Sequence, residues 1–201
     1  MIGDQVQLDL AILAVILGLA ISFARQKNMH RFFSVLGAVW VVIVDRYVKR
    51  LVAAELALGE SAEMMPGFIR LQRVHNYGAA WSSLSGARWL LIIITAVGLG
   101  VIAWVYFKIV RHPLGTWALA LVIGGGIGNL IDRVSLGYVI DMFATEFIDF
   151  PVFNVADIFV TCGAFAAAVY YLKYYEKCDA KNWEKKADDG ADRPDDGKLQ
   201  K

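Results

Sequence analysis

Charge is scarce in this chain, and so are the residues that build metal sites and disulfide frameworks. Asp, Glu, Lys and Arg make up 19% of the 201 residues, and the formal net charge is +1. A nearly neutral chain without a basic, aromatic-interleaved groove gives no reason to expect a nucleic acid or another polyanion as partner. Cys162 lies in an apolar run and Cys178 in a polar tail, so they are not expected to form a disulfide. The three histidines are scattered along the chain, and we expect no metal and no cofactor.

Apolar sequence dominates instead. Hydrophobic residues make up 58% of the chain, a composition typical of a membrane protein. A helix needs roughly 20 apolar residues to cross a bilayer. Five stretches come near this length: 8–24, 32–48, 89–107, 114–131 and 155–172. We therefore predict an all-α polytopic membrane protein.

Basic residues indicate how these stretches are oriented. They cluster between the first and second stretches, between the third and fourth, and after the fifth, which the positive-inside tendency places in the cytoplasm. The N-terminus and the loops 49–88 and 132–154 are then outside, although the longer loop carries five basic residues. The residues before 8–24 are acidic rather than basic, which favours an additional membrane span over a cleaved signal peptide.

Asp45 and Lys49 lie near the outer end of the second stretch. On a helix they are four residues apart with the acid first, the favourable order for a pair worth about 0.2–0.5 kcal/mol when exposed. Two interpretations remain open: an interfacial ion pair that closes the helix, or a substrate-facing role. In the following loop a strand-like alternation leads to the turn residues Asn76, Tyr77 and Gly78, although an ordinary surface loop could have the same features.

Glycines and polar residues meet at the end of the fourth stretch. Gly124 and Gly128 form a small-xxx-small pair that lets helices approach closely, and a phosphate loop is excluded because the Walker A ending is absent. Asn129, Asp132 and Arg133 follow at helical spacing. We predict that Asp132 and Arg133 pair and brace the next loop against this helix through charge-assisted hydrogen bonds.

Two further acids carry a functional hypothesis. Asp141 lies in a short, apolar, β-like run where no capping role explains it. Asn154 is a helix N-cap candidate that places Asp157 at N3, where capping alone would explain a carboxylate. If the two acids meet at the outer membrane surface, they have the chemistry of an aspartyl hydrolase. Two carboxylates about 3 Å apart share one proton, so that one acts as base on a water while the other donates to the carbonyl.

Four segments together resemble one family. VDRYVK in the second stretch, VHNYGAAWS in the outer loop, GNLIDRVSLGYVIDMF and FNVADIF have the order and spacing seen in the lipoprotein signal peptidases, or signal peptidase II, over residues 32–172. The resemblance implies a four-helix transmembrane bundle with a small extracytoplasmic β-like cradle, here with an extra N-terminal span. It also implies an aspartyl endopeptidase of the bacterial inner membrane that needs no metal. Such an enzyme cleaves lipidated prolipoproteins before the diacylglyceryl-modified cysteine, so these substrates and membrane lipid are the expected partners.

Carried over residue by residue, the resemblance implies that Asp141 and Asp157 are catalytic and that the active site faces the extracytoplasmic side. The supporting and substrate-binding residues would be Asn129, Asp132, Arg133, Asn154, Asp45, Lys49, Asn76, Gly78 and Ala80. The chain departs from the family at Arg46 and Val48, where Gln and a small hydroxyl residue are usual, and at Trp81, where Phe is usual.

Three regions are expected. Residues 1–31 form the additional span and a cytoplasmic loop, 32–175 the signal peptidase II-like membrane domain, and 176–201 a charged, disordered cytoplasmic tail. Two other classes of function remain open. A proton-coupled transporter would use intramembrane acids, but near the middle of a span. A non-catalytic membrane assembly factor would use the polar residues only as structure. We expect a monomer, although no sequence feature addresses oligomeric state.

Overall fold

The computed structural model describes residues 29–78 and 86–180, together with Ala14 and Gly18. This part of the chain is mainly helical. The helices are α1 (Met29–Glu55), α2 (Arg88–Lys108), α3 (Pro113–Ser135) and α4 (Val155–Tyr170), and α4 continues as a π-helical segment, Tyr171–Ala180. The predicted span 8–24, Ala80, Trp81 and the tail beyond residue 180 lie outside the described residues.

Three of these helices are long and apolar enough to cross a membrane: Arg88–Lys108, Pro113–Ser135 and Val155–Ala180. The protein is therefore a helical membrane protein, as predicted. α1 has 27 residues, and four of the six residues from Asp45 to Arg50 are charged. These charged residues lie in the C-terminal half of α1.

α3 packs between α1 and α4, and its glycines allow the three helices to lie close together. A Cβ on Gly124 would lie 2.7 Å from the carbonyl oxygen of Ala38 in α1, and a Cβ on Gly128 would lie 2.6 Å from Asp45 Oδ2. Gly125 faces the backbone of Ala156 in α4 in the same way. The predicted role of the glycine cluster in close helix packing is confirmed, because any side chain at these positions would force the helices apart.

A small antiparallel sheet covers one end of the helices. It consists of β1 (Ser61–Met65), β2 (Ile69–Asn76) and β3 (Val139–Thr145), in that order. β2 is the strand that the alternation after Pro66 predicted, and β3 contains the β-like run around Asp141. The fold is thus not all-α: the sequence indicated a β-like element, but β1 was not predicted.

Two contacts fix the sheet on the helices. Arg73 Nη1 donates to the carbonyl oxygens of Ala53 and Leu56, each at 3.0 Å, and so satisfies acceptors at the C-terminal end of α1. The pairing of β2 with β3 shifts register between Leu71 and Val74, and Val74 is the partner of Asp141. A β-bulge of this kind bends a strand and re-aims nearby side chains, so the irregularity lies where the orientation of Asp141 is set.

Candidate active site

α4 begins with a capping box, as the sequence predicted. Asn154 Oδ1 accepts from the backbone N–H of Asp157 at 3.0 Å, and Asp157 Oδ2 accepts from the backbone N–H of Asn154 at 3.1 Å. These two bonds satisfy donors that a helix start otherwise leaves without partners. They hold the Asp157 carboxylate in place and leave its Oδ1 for another partner.

Asp141 lies in the middle of β3 and is only 2% exposed. Its Oδ1 accepts from Asn154 Nδ2 at 2.7 Å, and its Oδ2 accepts from Asn76 Nδ2 at 2.9 Å. Asn76 Oδ1 in turn accepts from the backbone N–H of Gly78 at 2.9 Å, which confirms the predicted turn. Asn154 therefore bonds to both acids, and brings the two predicted catalytic residues together.

Asn129 of α3 joins the same group. Its Nδ2 donates to Asp157 Oδ1 at 2.8 Å, while its Oδ1 accepts from Asn154 Nδ2 at 3.0 Å and from Lys49 Nζ at 3.0 Å. Because an amide has one donor side and one acceptor side, Lys49 and Asn154 determine which side of Asn129 faces Asp157. Residues from α1, α3, β3 and α4 thus converge on one polar group.

Behind this group lies a set of four charged residues that we call the buried ion cluster: Asp45, Arg46, Lys49 and Asp132. Lys49 Nζ lies 2.8 Å from Asp45 Oδ2 and 2.9 Å from Asp132 Oδ2, and Arg46 Nη1 pairs with Asp132 Oδ1. None of the four is more than 7% exposed. The predicted Asp45–Lys49 pair is confirmed, but it is buried between helices and does not close α1 at the surface. Asp45 Oδ1 also accepts from the backbone N–H of Ala156 at 2.9 Å, and so ties α1 to the start of α4.

The predicted pair of Asp132 with Arg133 is wrong. Asp132 is paired with Arg46 and Lys49 of α1, and Arg133 instead donates to the carbonyl oxygen of Gly78 at 3.1 Å. Consecutive residues on a helix point in directions about 100° apart, so they do not face each other. Asp132 consequently braces α3 against α1, while the Arg133 guanidinium holds the turn after β2 and faces the two acids.

A cavity of about 510 Å³ opens beside the two acids. Its polar end is lined by Asn76, Arg133, Asp141 and Asp157, and it continues along α4 past Ile158, Thr161 and Cys162 and under the segment 150–153. The thiol of Cys162 is exposed. The cavity therefore joins a polar, charged end to an apolar wall on a helix that is able to span the membrane.

The two acids differ in their surroundings. Burial raises the pKa of Asp141 to about 6, with the Asn76 hydrogen bond opposing the rise and the charge of Asp157 adding to it. Asp157 lies at the N-terminus of α4, where backbone donors and the helix dipole favour a negative charge. Asp141 therefore holds its proton to a higher pH than an ordinary aspartate, as expected of an acid that takes part in proton transfer. Within residues 29–78 and 86–180, no three His, Cys, Asp or Glu side chains are arranged as a metal site.

Comparison with known proteins agrees with this geometry. The model of the signal peptidase (SPase) II family matches residues 36–173. The chain belongs to the signal peptidase II family. It is 40% identical to the lipoprotein signal peptidase of Lactococcus lactis subsp. cremoris (strain MG1363) over 135 residues, 67% of this chain and 90% of the relative. It is 39% identical to that of Streptococcus pyogenes serotype M5 (strain Manfredo) over 149 residues, 72% of this chain and 96% of the relative.

A solved structure is also similar. A bacterial membrane enzyme determined by the in meso method at 2.3 Å resolution has a TM-score of 0.68 and 31% sequence identity, and the match covers 84% of this chain and 94% of that chain. Members of the signal peptidase II family are aspartic peptidases. Family membership decides against the transporter and assembly-factor alternatives.

Arg46 is the functional candidate that the sequence interpretation missed. It stands where the family resemblance has Gln, and it was noted only as a departure. Its position held a usable signal: a basic residue three positions before Lys49 shares a helix face with it, in a largely apolar helix where charge usually has a role. Every other predicted site residue within the described part of the chain lies in or beside the polar group, and Ala80 lies outside that part.

Proposed function

We propose that Asp141 and Asp157 are the catalytic dyad with which this signal peptidase II removes signal peptides from prolipoproteins. One observation carries the assignment: Asn154 is hydrogen-bonded to both acids. Its side-chain amide donates to Asp141 Oδ1 at 2.7 Å, and it forms the capping box with Asp157, so both acids belong to one hydrogen-bonded unit. Both also line the cavity. No other pair of acids in the described residues shares a partner at the wall of this cavity.

The surroundings of the acids suggest separate roles. Asp157, as the base, takes a proton from a water that attacks the carbonyl carbon of the scissile peptide. Asp141, as the acid, donates its proton to the carbonyl oxygen, and a tetrahedral intermediate results. When the intermediate collapses, the carbon–nitrogen bond breaks, the leaving amine receives a proton from the dyad, and the signal peptide departs as a carboxylic acid. Positioned proton transfer of this kind contributes about 10²–10⁴-fold to a rate.

The cavity suggests how a lipidated substrate would bind. Its apolar wall along α4 suits the signal-peptide segment and keeps the diacylglyceryl group in the bilayer, while the polar end receives the peptide to be cut. We expect cleavage just before the diacylglyceryl-modified cysteine. Arg133 and Asn76 at the polar end, with Gly78 in the turn after β2, would contact the substrate backbone, and we propose the same role for Ala80, which lies outside the described residues. Asp45, Lys49, Asp132 and Asn129 would support the dyad from behind.

The arrangement in the membrane follows from the same features. We propose that α1 to α4 form a four-span bundle in residues 32–175, preceded by an additional span in 1–31 and followed by a cytoplasmic tail in 176–201. The dyad lies at the end of the bundle covered by the sheet, and the opposite end carries basic residues, including Lys108 and Arg111. By the positive-inside tendency the sheet and the dyad are extracytoplasmic, with the enzyme a monomer in the bacterial inner membrane.

Purified full-length protein and a lipidated prolipoprotein provide the test. Asp141→Asn and Asp157→Asn should each abolish cleavage while substrate still binds, because Asn preserves volume but exchanges no proton. Asp149→Asn is the matched control: Asp149 is an exposed acid in the same loop region, and its loss should leave cleavage intact. The same substrate without diacylglycerol should be cut poorly. Near wild-type cleavage by either dyad variant would refute the assignment.

A further inference from the structure

The buried ion cluster contains one charged residue whose effect reaches the dyad through other side chains. Arg46 and Lys49 lie three positions apart on α1, and both contact Asp132 of α3, one at each carboxylate oxygen. Asp45 and Asp132 supply two negative charges and Arg46 and Lys49 two positive ones, so the cluster is neutral overall. Neutrality matters because a buried charge without a partner is strongly destabilising.

Lys49 shares its charge among three oxygens. Its Nζ donates to Asn129 Oδ1 at 3.0 Å, and it forms ion pairs with Asp45 Oδ2 at 2.8 Å and Asp132 Oδ2 at 2.9 Å. Asn129 leads to the dyad, since its Nδ2 donates to Asp157 Oδ1 at 2.8 Å. Any change that draws Lys49 towards Asp132 therefore weakens its hold on Asn129.

Asp132 has a second route to the dyad. Its Oδ2 faces the backbone N–H of Ile140 at 3.5 Å, the residue before Asp141 in β3. Asp132 is fully buried, so without Arg46 its Oδ1 would lose an ionic partner inside the protein. The carboxylate would then rely on Lys49, the residue that also orients Asn129.

We infer that Arg46 is a positioning residue for the dyad: it neutralises Asp132 at Oδ1 and thereby keeps the hydrogen bond from Lys49 to Asn129, which orients Asp157. This inference rests on the proposed function, because it assumes that Asp157 is catalytic. It adds a residue that does not line the cavity and acts through Asp132, Lys49 and Asn129. It also predicts an electrostatic effect, because removing Arg46 leaves one net negative charge behind the dyad.

The charged groups that face Asp141 are Asp157 of α4, Lys49 of α1 and Arg133 of α3, while its partner from β2, Asn76, is neutral. An added negative charge roughly 10 Å away, at an effective dielectric constant of about 20, changes the proton affinity of such a group by about one pH unit. The direction is upward, because negative charge disfavours release of the proton.

The test compares wild type, Arg46→Met, Asp132→Asn and the double variant Arg46→Met/Asp132→Asn, all as purified full-length protein with a lipidated prolipoprotein. Met has a similar length to Arg but neither its charge nor its donors, so Arg46→Met should lower kcat by about 10- to 100-fold, the range for a misplaced catalytic group, with KM little changed. The limb of the pH–rate profile that reports the dyad should move up by about one unit. In the double variant the cluster is again neutral, so the limb should return to its wild-type position.

Two results would overturn the inference. One is an Arg46→Met enzyme with wild-type kcat and pH profile, even if it melts at a lower temperature. The other is a loss of kcat without a shift of the profile, with no return in the double variant, because that pattern belongs to a purely structural residue.

If Arg46→Met does not fold, the other three proteins still decide. Asp132→Asn leaves one net positive charge, so its limb should lie below that of wild type, and that of the double variant should coincide with wild type. Equal profiles for Asp132→Asn and the double variant would show that the Arg46 charge does not reach the dyad. The proposed function is tested separately by Asp141→Asn: cleavage by that variant refutes the dyad itself, whereas an inactive Asp141→Asn beside a normal Arg46→Met refutes only this inference.

Discussion

Replacing Asp141 by Asn should change how the stability of the protein depends on pH. Burial raises the pKa of the Asp141 carboxyl from its ordinary 3.8 to about 6, against the Asn76 hydrogen bond and with a further rise from Asp157. Between about pH 4 and pH 6 the folded protein therefore retains a proton that the unfolded chain has released. The stabilisation from this proton is fully present below about pH 4 and is lost as the pH rises through about 6.

The size of the effect follows from the same two values. The difference between 3.8 and about 6 corresponds to about 3 kcal/mol in the free energy of unfolding. The amide that replaces the carboxyl does not titrate, so relative to wild type the Asp141→Asn variant should gain up to about 3 kcal/mol between about pH 4 and pH 7.5. The new amide also faces the donor of either Asn76 or Asn154, which costs about 1–3 kcal/mol. The cost of the misplaced amide does not depend on pH, so it cancels when the variant-minus-wild-type difference at about pH 4 is compared with that at about pH 7.5.

Thermal unfolding of the two proteins across this pH range measures the effect. For a chain of this size about 1 kcal/mol moves Tm by roughly 2–4 °C, so the Tm difference, variant minus wild type, should become more positive by several degrees. Asp149→Asn is the control, since it removes an exposed acid outside the polar group. A constant Tm difference for Asp141→Asn, or one that decreases as the pH rises, would refute the reasoning.

Three further predictions concern packing, access and the polar end of the cavity. In thermal unfolding, Gly128→Ala should destabilise the protein by about 1–3 kcal/mol through overpacking, because a Cβ there would lie 2.6 Å from a carboxylate oxygen of the buried ion cluster. Gly98→Ala in α2 is the control: the space around Gly98 is open, so this variant should be neutral or stabilising in the same assay. The Cys178→Ala variant keeps one cysteine, Cys162 at the cavity wall, and a bulky maleimide should block its cleavage activity. The Cys162→Ala variant should remain active after the same treatment. Equal sensitivity of the two variants would contradict the proposed binding path. Arg133→Ala should lower kcat/KM about tenfold or more but the free energy of unfolding by only about 1 kcal/mol, because Arg133 holds one neutral acceptor; a large drop in Tm would instead assign it a structural role.

Local rules explain which parts of the site could be predicted from the sequence. Asp157 was placed at N3 of a helix because Asn154 precedes it by three residues, and the capping box follows that spacing directly. The turn at Asn76 and the close packing at Gly124 and Gly128 are likewise consequences of residue type over a few positions. The helices were predictable because apolar stretches of membrane length leave few alternatives.

Pairing between distant segments was not predictable in this way. Arg46 and Asp132 are 86 positions apart, and nothing in either segment indicates the other. The sequence instead suggested that Asp132 pairs with its neighbour Arg133, which helix geometry prevents. β1 was missed for a different reason: all five of its residues are exposed, so it has no alternation of buried and exposed positions from which a strand could be recognised.

The site combines two environments with opposite requirements. Acids that exchange protons with a substrate have to be accessible, and the proposed dyad lines a cavity, where neutral amides hold Asp141. Buried charges need partners instead, and the buried ion cluster is closed off between α1, α3 and α4, with two acids and two basic residues. Asn129 lies between the two environments, with its acceptor towards Lys49 and its donor towards Asp157. A neutral amide at this junction links the cluster to Asp157 without bringing a fixed charge next to the proposed reacting groups, so the proposed effect of Arg46 on the position of Asp157 has to pass through Asn129.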